Sequence, residues 1–390
     1  MRKKVYDIVI IGGGIIGSSA AYYLAKTCNK KKIAVIEPDF TYSNASTTLS
    51  LANIRIQFNL KENIQISLYT FEILDRFEEE MAVSQEKHFL DIHREGNLFL
   101  IDENNQKDMK QAFDLQKNLK CNVHWLKPEE IKAKYQLYNP ENVIGGYFSP
   151  DDCYLDAFSF LMGYKKKSQF MGVDFIGDRV INIISGRGRV EGVKLGSGDD
   201  ISAKFVVNCA GAWAADVART AGVEIPVIPV IRQVFVLDPM IKPENPFPLT
   251  VLPSGLYFRT ETGGLIICGK SMPEDRTGFD FTWDQSRFFE NLWPELAEFV
   301  PAFDRLRLVR GWAGLYAVNT FDGNAILGEC PDVKGFYLAA GFSGHGLQQA
   351  PAVGRYISEL ITGKKVSLDL SVFHINRIYE NKPLDESALV

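Results

Sequence analysis

The chain has 390 residues, of which 46% are hydrophobic and 23% charged, and its net charge at pH 7 is −5. This composition is typical of a globular protein that is long enough for two or three domains. The negative net charge gives no support for nucleic-acid binding. No apolar run reaches the roughly 18 residues that predict a membrane span.

The cysteines and the N-terminus predict where the protein resides. Six cysteines are scattered along the chain without a CxxC motif or a His/Cys cluster. This pattern predicts free thiols in a reducing compartment and no structural metal site. The chain enters an apolar segment almost at once, without a pattern typical of a cleavable signal. We therefore expect a cytoplasmic protein.

The opening 37 residues predict two strands and a helix joined by a glycine-rich turn. Residues 5–11 form a short β-branched apolar run, which is typical of a strand buried on both faces. Small and apolar residues over 15–28 suit a helix, and residues 33–36 predict the next buried strand. Glu37 stands at the carboxyl end of that strand. This order of elements is the one that a dinucleotide site requires.

The glycines of the turn have the GxGxxG spacing of such sites. Gly12 permits a tight turn, Gly14 lets the backbone approach a pyrophosphate, and Gly17 lets the helix pack closely on the strand. The amides and dipole of the helix then receive the phosphate charge. Glu37 can accept hydrogen bonds from a ribose diol and disfavours the 2′-phosphate of NADP. On these residues alone, FAD and NAD both stay open.

A polar segment at 41–50 is rich in Ser, Thr and Asn and leads into residues 51–58, which we expect to pass beside the cofactor. Arg55 is a cation among apolar neighbours there. It is consistent with either a structural ion pair or a functional site. Residues 62–80 predict an amphipathic helix.

The middle of the chain predicts a mixture of short strands and helices. Residues 96–101 and 143–148 predict strands, and Asp156 predicts the N-cap of the next helix. Three short β segments follow, separated by turns, and they predict a small antiparallel meander that crosses over the main sheet. These segments are residues 173–176, 180–184 and 189–195.

Two later segments repeat the pattern of an apolar strand that ends in small residues. Residues 205–213 contain the first, and residues 335–346 contain the second, which leads into a helix over 347–360. Such turns suit close backbone approach to a ligand at the carboxyl edge of a parallel sheet. The free amides and dipole of the helix after His345 would stabilise an anionic reduced flavin. Between them, residues 227–237 and 255–269 predict a separate antiparallel sheet that faces the substrate.

Together these segments resemble the D-amino-acid oxidase-like superfamily of flavoproteins. The similarity is to the branch with sarcosine oxidase, the dimethylglycine and sarcosine dehydrogenases and the proline dehydrogenase β subunits. Further phrases are similar to the FAD-dependent oxidoreductase domain-containing proteins linked to complex I assembly. The resemblance favours FAD over NAD. It rests on residues 5–37, 208–213, 312–315, 322–328 and 341–346, with the further phrases at 41–47, 63–68 and 346–351.

The resemblance implies an α/β (α+β overall) fold with a Rossmann-like FAD-binding domain and a discontinuous antiparallel β-sheet substrate domain. The FAD-binding domain would contain residues 1–88, 145–226 and 322–390. The substrate domain would contain residues 89–144 and 227–321.

The resemblance also implies site residues by position, and none of them would bind a metal. The implied catalytic or substrate-binding residues are Arg55, Tyr257, Arg259, His345 and Gln348. The implied cofactor-binding residues are Gly12, Gly14, Gly17, Glu37, Ser43, Ser46, Thr47, Val180, Ala210, Gly211, Trp213, Gly344, His345, Gly346 and Leu347.

The chain departs from sarcosine oxidases at three positions. Gly314 and Leu315 stand where those enzymes carry the cysteine that links the flavin, so we expect noncovalent FAD. No lysine lies near Tyr257, where the oxygen-activating lysine is expected, so we predict a dehydrogenase. Gln348 replaces a lysine that helps to bind the substrate carboxylate, which leaves Arg55 and Arg259 as the expected carboxylate ligands.

The implied reaction is oxidation of a small amine or amino acid, of the secondary or N-methyl class, by hydride transfer to flavin N5. Electrons would pass to an acceptor other than oxygen. Two alternatives stay open. The first is a flavoprotein assembly factor, or a subunit of a larger oxidoreductase that needs a partner subunit for activity. The second is an α-hydroxy-acid dehydrogenase, because hydride transfer to flavin serves both substrate classes.

Overall fold

A computed structural model describes residues 4–28, 30–84 and 86–386 of the chain. Its strands occur throughout this part of the chain. In chain order they are β1 Lys4–Val5, β2 Ile8–Ile11, β3 Ile33–Glu37, β4 Asn53–Ile54, β5 Ile92–His93, β6 Asn97–Ile101, β7 His124–Leu126, β8 Gly145–Ser149, β9 Cys153–Leu155, β10 Asp174–Gly177, β11 Val180–Gly186, β12 Arg189–Leu195, β13 Asp200–Ser202, β14 Phe205–Asn208, β15 Val227–Pro239, β16 Leu249–Val251, β17 Leu256–Glu261, β18 Leu265–Lys270, β19 Leu306–Asn319, β20 Ile326–Glu329 and β21 Phe336–Ala340.

The described helices are fewer than the strands, and the longest has 17 residues and lies in the C-terminal part of the chain. They are α1 Ile15–Thr27, α2 Lys61–Leu74, α3 Phe77–Glu80, α4 Gln106–Asn118, α5 Pro128–Lys134, α6 Ala157–Phe170, α7 Ala214–Thr220, α8 Gln285–Arg287, α9 Trp293–Phe299, α10 Gly346–Thr362 and α11 Asn376–Tyr379. No helix in the described ranges is both long enough and apolar enough to cross a membrane.

A six-stranded sheet in the order β10-β3-β2-β14-β21-β20 forms the centre of one half of the described chain. All neighbours in it are parallel except β20, which is antiparallel to β21. Alternate residues of β2 enter two different cores: Ile8 and Ile10 pack on the side of α1 and α10, and Val9 and Ile11 pack on the side of α7 and β12. The predicted strand buried on both faces is therefore confirmed for residues 8–11. The prediction is wrong for residues 5–7, since Val5 is 64% exposed and belongs to β1, which pairs in a different sheet.

The predicted glycine turn joins β2 to α1 as expected. Gly12 has a φ of +94°, and a Cβ built there would lie 2.5 Å from the carbonyl oxygen of Cys209. A Cβ on Gly17 would lie 1.9 Å from the carbonyl oxygen of Gly12. No side chain larger than hydrogen fits at either position, because α1 starts directly against the strand that precedes it.

An eight-stranded sheet, in the order β19-β15-β18-β17-β16-β6-β8-β7, forms the other half. Its pairings are antiparallel except that of β16 with β6. Strand β8, Gly145–Ser149, pairs with β6 in this sheet. Its antiparallel partner, residues 97–101, falls in the predicted substrate domain, whereas the boundary predicted at residue 145 assigns β8 to the FAD-binding domain. The predicted domain division stays a proposal.

The predicted meander is only partly correct. Strands β11 and β12 are antiparallel and form a four-stranded sheet with β13 and β1. The first predicted segment is different: β10 adds in parallel to β3 at the edge of the main sheet, with Gly177 opposite Glu37. This strand follows α6 directly in the chain, and its apolar residues alone do not show which sheet it joins. The predicted cap is confirmed, because the Asp156 carboxylate accepts a 2.9 Å hydrogen bond from the amide of Ser159.

Candidate active site

A cavity of about 580 Å³ runs along the carboxyl edge of the parallel sheet. Its volume falls in the range of roughly 300–1,000 Å³ that is usual for small-molecule sites. Three glycine-bearing turns line it, because β2, β14 and β21 all end at this edge. Most of the predicted cofactor contacts line the cavity: Gly12, Gly14, Glu37, Ser46, Thr47, Val180, Ala210, Gly211, Trp213, Gly344, Gly346 and Leu347.

Glu37 marks one end of the cavity. One carboxylate oxygen accepts a 2.7 Å hydrogen bond from the amide of Gly13, and the other accepts a 2.9 Å bond from the amide of Asp39. Burial raises the pKa of Glu37, although the two amide bonds act in the opposite direction. Each oxygen keeps a lone pair for a further donor. With Val180 lining the same cavity, this end suits a ribose and the adenine attached to it.

The N-terminus of α1 occupies the middle of the cavity. No side chain caps the helix at Gly14. The amide of Ile15 donates a 3.2 Å hydrogen bond to the hydroxyl of Thr47, which brings the polar segment against the helix start. A Cβ on Gly14 would meet only the Thr47 hydroxyl, at 3.5 Å. The remaining amides and the helix dipole therefore suit a pyrophosphate.

The far end of the cavity is formed by the turn after β14, by β19 and by the start of α10. The hydroxyl of Ser46 donates a 2.6 Å hydrogen bond to the carbonyl of Leu315 and so joins the polar segment to β19. Helix α10 begins at Gly346 without a side-chain cap, and both Gly346 and Leu347 line the cavity. This arrangement directs the positive end of a helix dipole at the cavity.

Three residues of the predicted cofactor set lie outside the lining. Gly17 acts through the packing of α1 described above. Ser43 donates to the carboxylate of Asp39 from its hydroxyl, at 2.9 Å. His345 packs edge-to-face on Phe58, with ring centroids 5.3 Å apart.

Arg55, His345 and Gln348 form a buried cluster behind the start of α10. The side-chain oxygen of Gln348 accepts a 2.9 Å hydrogen bond from the amide of Arg55. The Arg55 guanidinium donates to Nε2 of His345 at 3.2 Å and lies 4.3 Å from the centroid of Phe58. Burial and the charge of Arg55 lower the pKa of His345 to about 3, so the imidazole is neutral at physiological pH. The three predicted residues are together, but none of them lines either cavity of the site.

Arg259, on β17 of the eight-stranded sheet, makes structural contacts with the residue that follows the polar segment and with β9. It is 3% exposed and pairs with the carboxylate of Glu261 at 3.0 Å. It also donates to the carbonyl of Leu51 at 3.2 Å and lies 3.5 Å from the ring centroid of Tyr154. It does not line the cavities, and its predicted role at a substrate carboxylate stays a prediction.

A second cavity, of about 20 Å³, lies between the polar segment and the eight-stranded sheet. Ser46, Ser50, Leu315 and Tyr316 line both cavities, so the small one adjoins the far end of the large one. Tyr257 lines the small cavity, and its predicted catalytic role stays a prediction. The charged residue of its lining is one that the sequence analysis did not single out.

That residue is Arg232 on β15. The sequence contains a pattern that could have identified it, because Arg232 is a cation within the apolar run 227–237. The same pattern singled out Arg55. Asp275, the partner of Arg232, lies 43 residues further on and is brought close only by the fold. No group of three or more His, Cys, Asp or Glu in the described residues is arranged to hold a metal ion.

The donor set fits FAD. A paired carboxylate stands at the ribose end, uncapped helix amides stand at the pyrophosphate and at the far end, and glycine backbone lines the space between them.

A family model described as FAD dependent oxidoreductase, DAO, matches residues 7–360. The chain belongs to the DAO family. FAD is the cofactor of this family, and the chain is an FAD-dependent oxidoreductase related to amino-acid oxidases and dehydrogenases.

Relatives match over nearly the whole chain. "FAD-dependent oxidoreductase domain-containing protein 1" of Bos taurus is 34% identical, over 98% of this chain and 87% of its own length. Glycine oxidase of Bacillus subtilis (strain 168) is 26% identical, over 96% of this chain and 98% of its own length. The crystal structure of L-proline dehydrogenase from P. horikoshii superposes with a TM-score of 0.88 at 28% identity, over 98% of this chain and 100% of that one.

Proposed function

We propose that the chain is a dehydrogenase for a small amine or amino acid of the secondary or N-methyl class. Bound FAD supplies the hydride acceptor, its N5 atom, for the carbon next to the amine. The observation that carries the proposal is the small cavity with a charged wall, placed where the far end of the cofactor cavity meets the eight-stranded sheet. Two similar proteins, a glycine oxidase and an L-proline dehydrogenase, act on amino acids by their names.

The chain's own residues position the substrate and exclude water from the site. Strands β15, β17 and β19 line the small cavity beside the far end of the cofactor cavity, and Leu51, directly after the polar segment, also lines it. Tyr257 and Tyr316 line that cavity, and burial raises the pKa of both phenols. Both therefore stay protonated at neutral pH and can donate hydrogen bonds. Hydride transfer requires positioning and exclusion of water and needs no acid–base pair among these residues.

The start of α10 stabilises negative charge in the far end of the cavity. The uncapped amides at Gly346 and Leu347 face it with the positive end of the dipole. His345, next to them, adds no positive charge because its pKa is lowered to about 3. The helix is therefore the element that would favour a reduced, anionic ring.

Dehydrogenase behaviour is proposed over oxidase behaviour because the described lining of the two cavities contains no lysine. Reaction of a reduced flavin with oxygen needs a nearby positive charge that stabilises superoxide as it forms.

Anaerobic mixing tests the proposal. The holoprotein is mixed separately with glycine, sarcosine, L-proline, N,N-dimethylglycine, glycolate or L-lactate, and bleaching of the flavin absorbance is followed. Dithionite serves as the control that the flavin is reducible. We expect at least one secondary or N-methyl amino acid to bleach the flavin rapidly. Bleaching by glycolate or L-lactate alone would favour the hydroxy-acid alternative. Bleaching by dithionite alone would contradict the proposed reaction and favour the partner-subunit alternative.

A further inference from the structure

We propose that Arg232 binds the carboxylate of the substrate, with Tyr257 and Tyr316 as the neighbouring hydrogen-bond donors. This assignment rests on the proposed function, since it names the group that recognises an amino acid at that same site. It moves the carboxylate contact away from Arg55 and Arg259, the two arginines that the sequence favoured.

Arg232 is placed beside the cofactor cavity. Arg232 is the charged side chain that lines the small cavity, and four other lining residues are shared with the cofactor cavity. A group held by Arg232 would thus lie beside the far end of the cofactor. The small cavity has room for little more than a water molecule. It can accept the polar end of a substrate whose reacting carbon lies in the larger space.

The buried ion-pair cluster that contains Arg232 has an excess of positive charge. The carboxylate of Asp275 is shared between the guanidinium groups of Arg232 and Arg287, and its side chain is only 2% exposed. Two cations and one anion leave this group with one positive charge. The neighbouring pair of Lys270 and Glu295, at 2.8 Å, is balanced by itself. A desolvated excess cation is costly, and an anionic ligand removes that cost.

The guanidinium of Arg232 has unfilled hydrogen-bonding capacity. Nε of Arg232 is buried and has no hydrogen-bond partner among the described residues. Its Nη1 donates to Asp275, and its Cζ atom lies 5.5 Å from the ring centroid of Tyr316. Arginine donates through a planar fork that matches a carboxylate. Asp275 therefore orients the guanidinium while part of the fork is left for a ligand.

The surroundings also suit an anion. Tyr257 is 8% exposed, and the Tyr316 phenol lies within the electrostatic influence of both Arg232 and Arg55, which partly offset the rise of its pKa caused by burial. Protonated phenols donate to a carboxylate. Arg55 and Arg259, in contrast, lie outside the lining of both cavities.

A binding measurement that needs no turnover tests the assignment. Methoxyacetate and its neutral analogue methoxyacetamide are titrated into the oxidised holoprotein, and the shift of the flavin absorbance gives each Kd. The wild type should bind the anion more tightly than the amide. Arg232→Met should weaken methoxyacetate binding by roughly thirtyfold or more and leave methoxyacetamide binding nearly unchanged. Arg232→Lys should keep part of the preference for the anion.

Two features of the chain allow a loss of binding to be distinguished from a folding defect. Arg232→Met leaves Asp275 paired with Arg287, so the variant keeps a balanced ion pair and should fold. FAD content and melting temperature check this. Arg307→Met is the matched control, because Arg307 lies on the same sheet with a side chain that is 77% exposed.

Each outcome decides the assignment. It is overturned if Arg232→Met binds both compounds like the wild type, if it loses both equally, or if the wild type shows no preference for the anion. It is also overturned if the loss occurs in Arg259→Met and not in Arg232→Met. Arg232-dependent binding of methoxyacetate, together with no bleaching by any amino acid, would support the subsite and contradict the proposed reaction.

Discussion

Glu37→Gln tests the assignment of the ribose end of the cofactor site. The wild-type carboxylate already accepts from the amides of Gly13 and Asp39, at 2.7 and 2.9 Å, and keeps lone pairs for ribose hydroxyls. Glutamine has the same shape but offers one oxygen and one NH₂ group. The NH₂ group must face a donor, so at least one hydrogen bond to a charged acceptor is lost.

The magnitude follows from the number of bonds lost. A hydrogen bond to a charged group contributes about 1.5–3 kcal/mol. The loss of one such bond to ribose raises the Kd for FAD by about ten- to 150-fold. The assay is fluorescence titration of the apoprotein with FAD. Glu141→Gln, at an exposed position, is the matched control and should bind FAD like the wild type.

The pH dependence gives an independent check. Burial raises the pKa of Glu37. Ribose hydroxyls that donate to the carboxylate favour its ionised form, so bound FAD lowers that pKa. FAD affinity is then constant above the raised pKa and falls as the pH drops through it. Glu37→Gln should abolish this dependence. An unchanged Kd in Glu37→Gln, or the same pH dependence in the variant, would refute the assignment.

Three further predictions concern the cofactor and the fold. Acid precipitation should leave the yellow colour in the supernatant because FAD is expected to be noncovalent. Cys209 lines the cavity, but burial raises the pKa of its thiol and so disfavours the thiolate. Colour in the pellet would contradict the expectation. With a reducing substrate in air, dye or quinone reduction should exceed peroxide formation, since no lysine lines the described cavities; peroxide equal to substrate consumed would contradict this. Arg377→Met should lower the free energy of unfolding by about 3–5 kcal/mol, because it leaves the buried carboxylate of Asp322 without its 2.8 Å ion-pair partner; a denaturant midpoint that does not move would contradict this.

The cofactor site could be predicted from the sequence because most of its signals are local. The positive φ of Gly12 and the contact of Gly17 with the carbonyl oxygen of Gly12 are set within a few residues and favour glycine, whereas the close approach of Gly12 to Cys209 comes from the fold. The pairing of strand β10, Asp174–Gly177, could not be predicted, since its apolar residues fit either sheet. Strand partners are decided by the chain connection and by packing, which short patterns do not encode.

The substrate end was harder to predict for a related reason. Arg55, Arg232 and Arg259 are all cations within apolar segments, so the sequence pattern does not rank them. The fold does distinguish them, because the partner of Arg259 is two residues away whereas that of Arg232 comes from a distant loop. Which arginine lines a cavity follows from the eight-stranded sheet as a whole.

The most direct test of the proposed reaction is the deuterium isotope effect on anaerobic flavin bleaching. The substrate is the amino acid that bleaches the flavin fastest, with deuterium on every carbon bonded to its amine nitrogen. We predict that bleaching is several-fold slower with the deuterated compound, because one of these carbon–hydrogen bonds breaks as the hydride leaves. Bleaching at an equal rate with both compounds, or no bleaching by any amino acid, would contradict it.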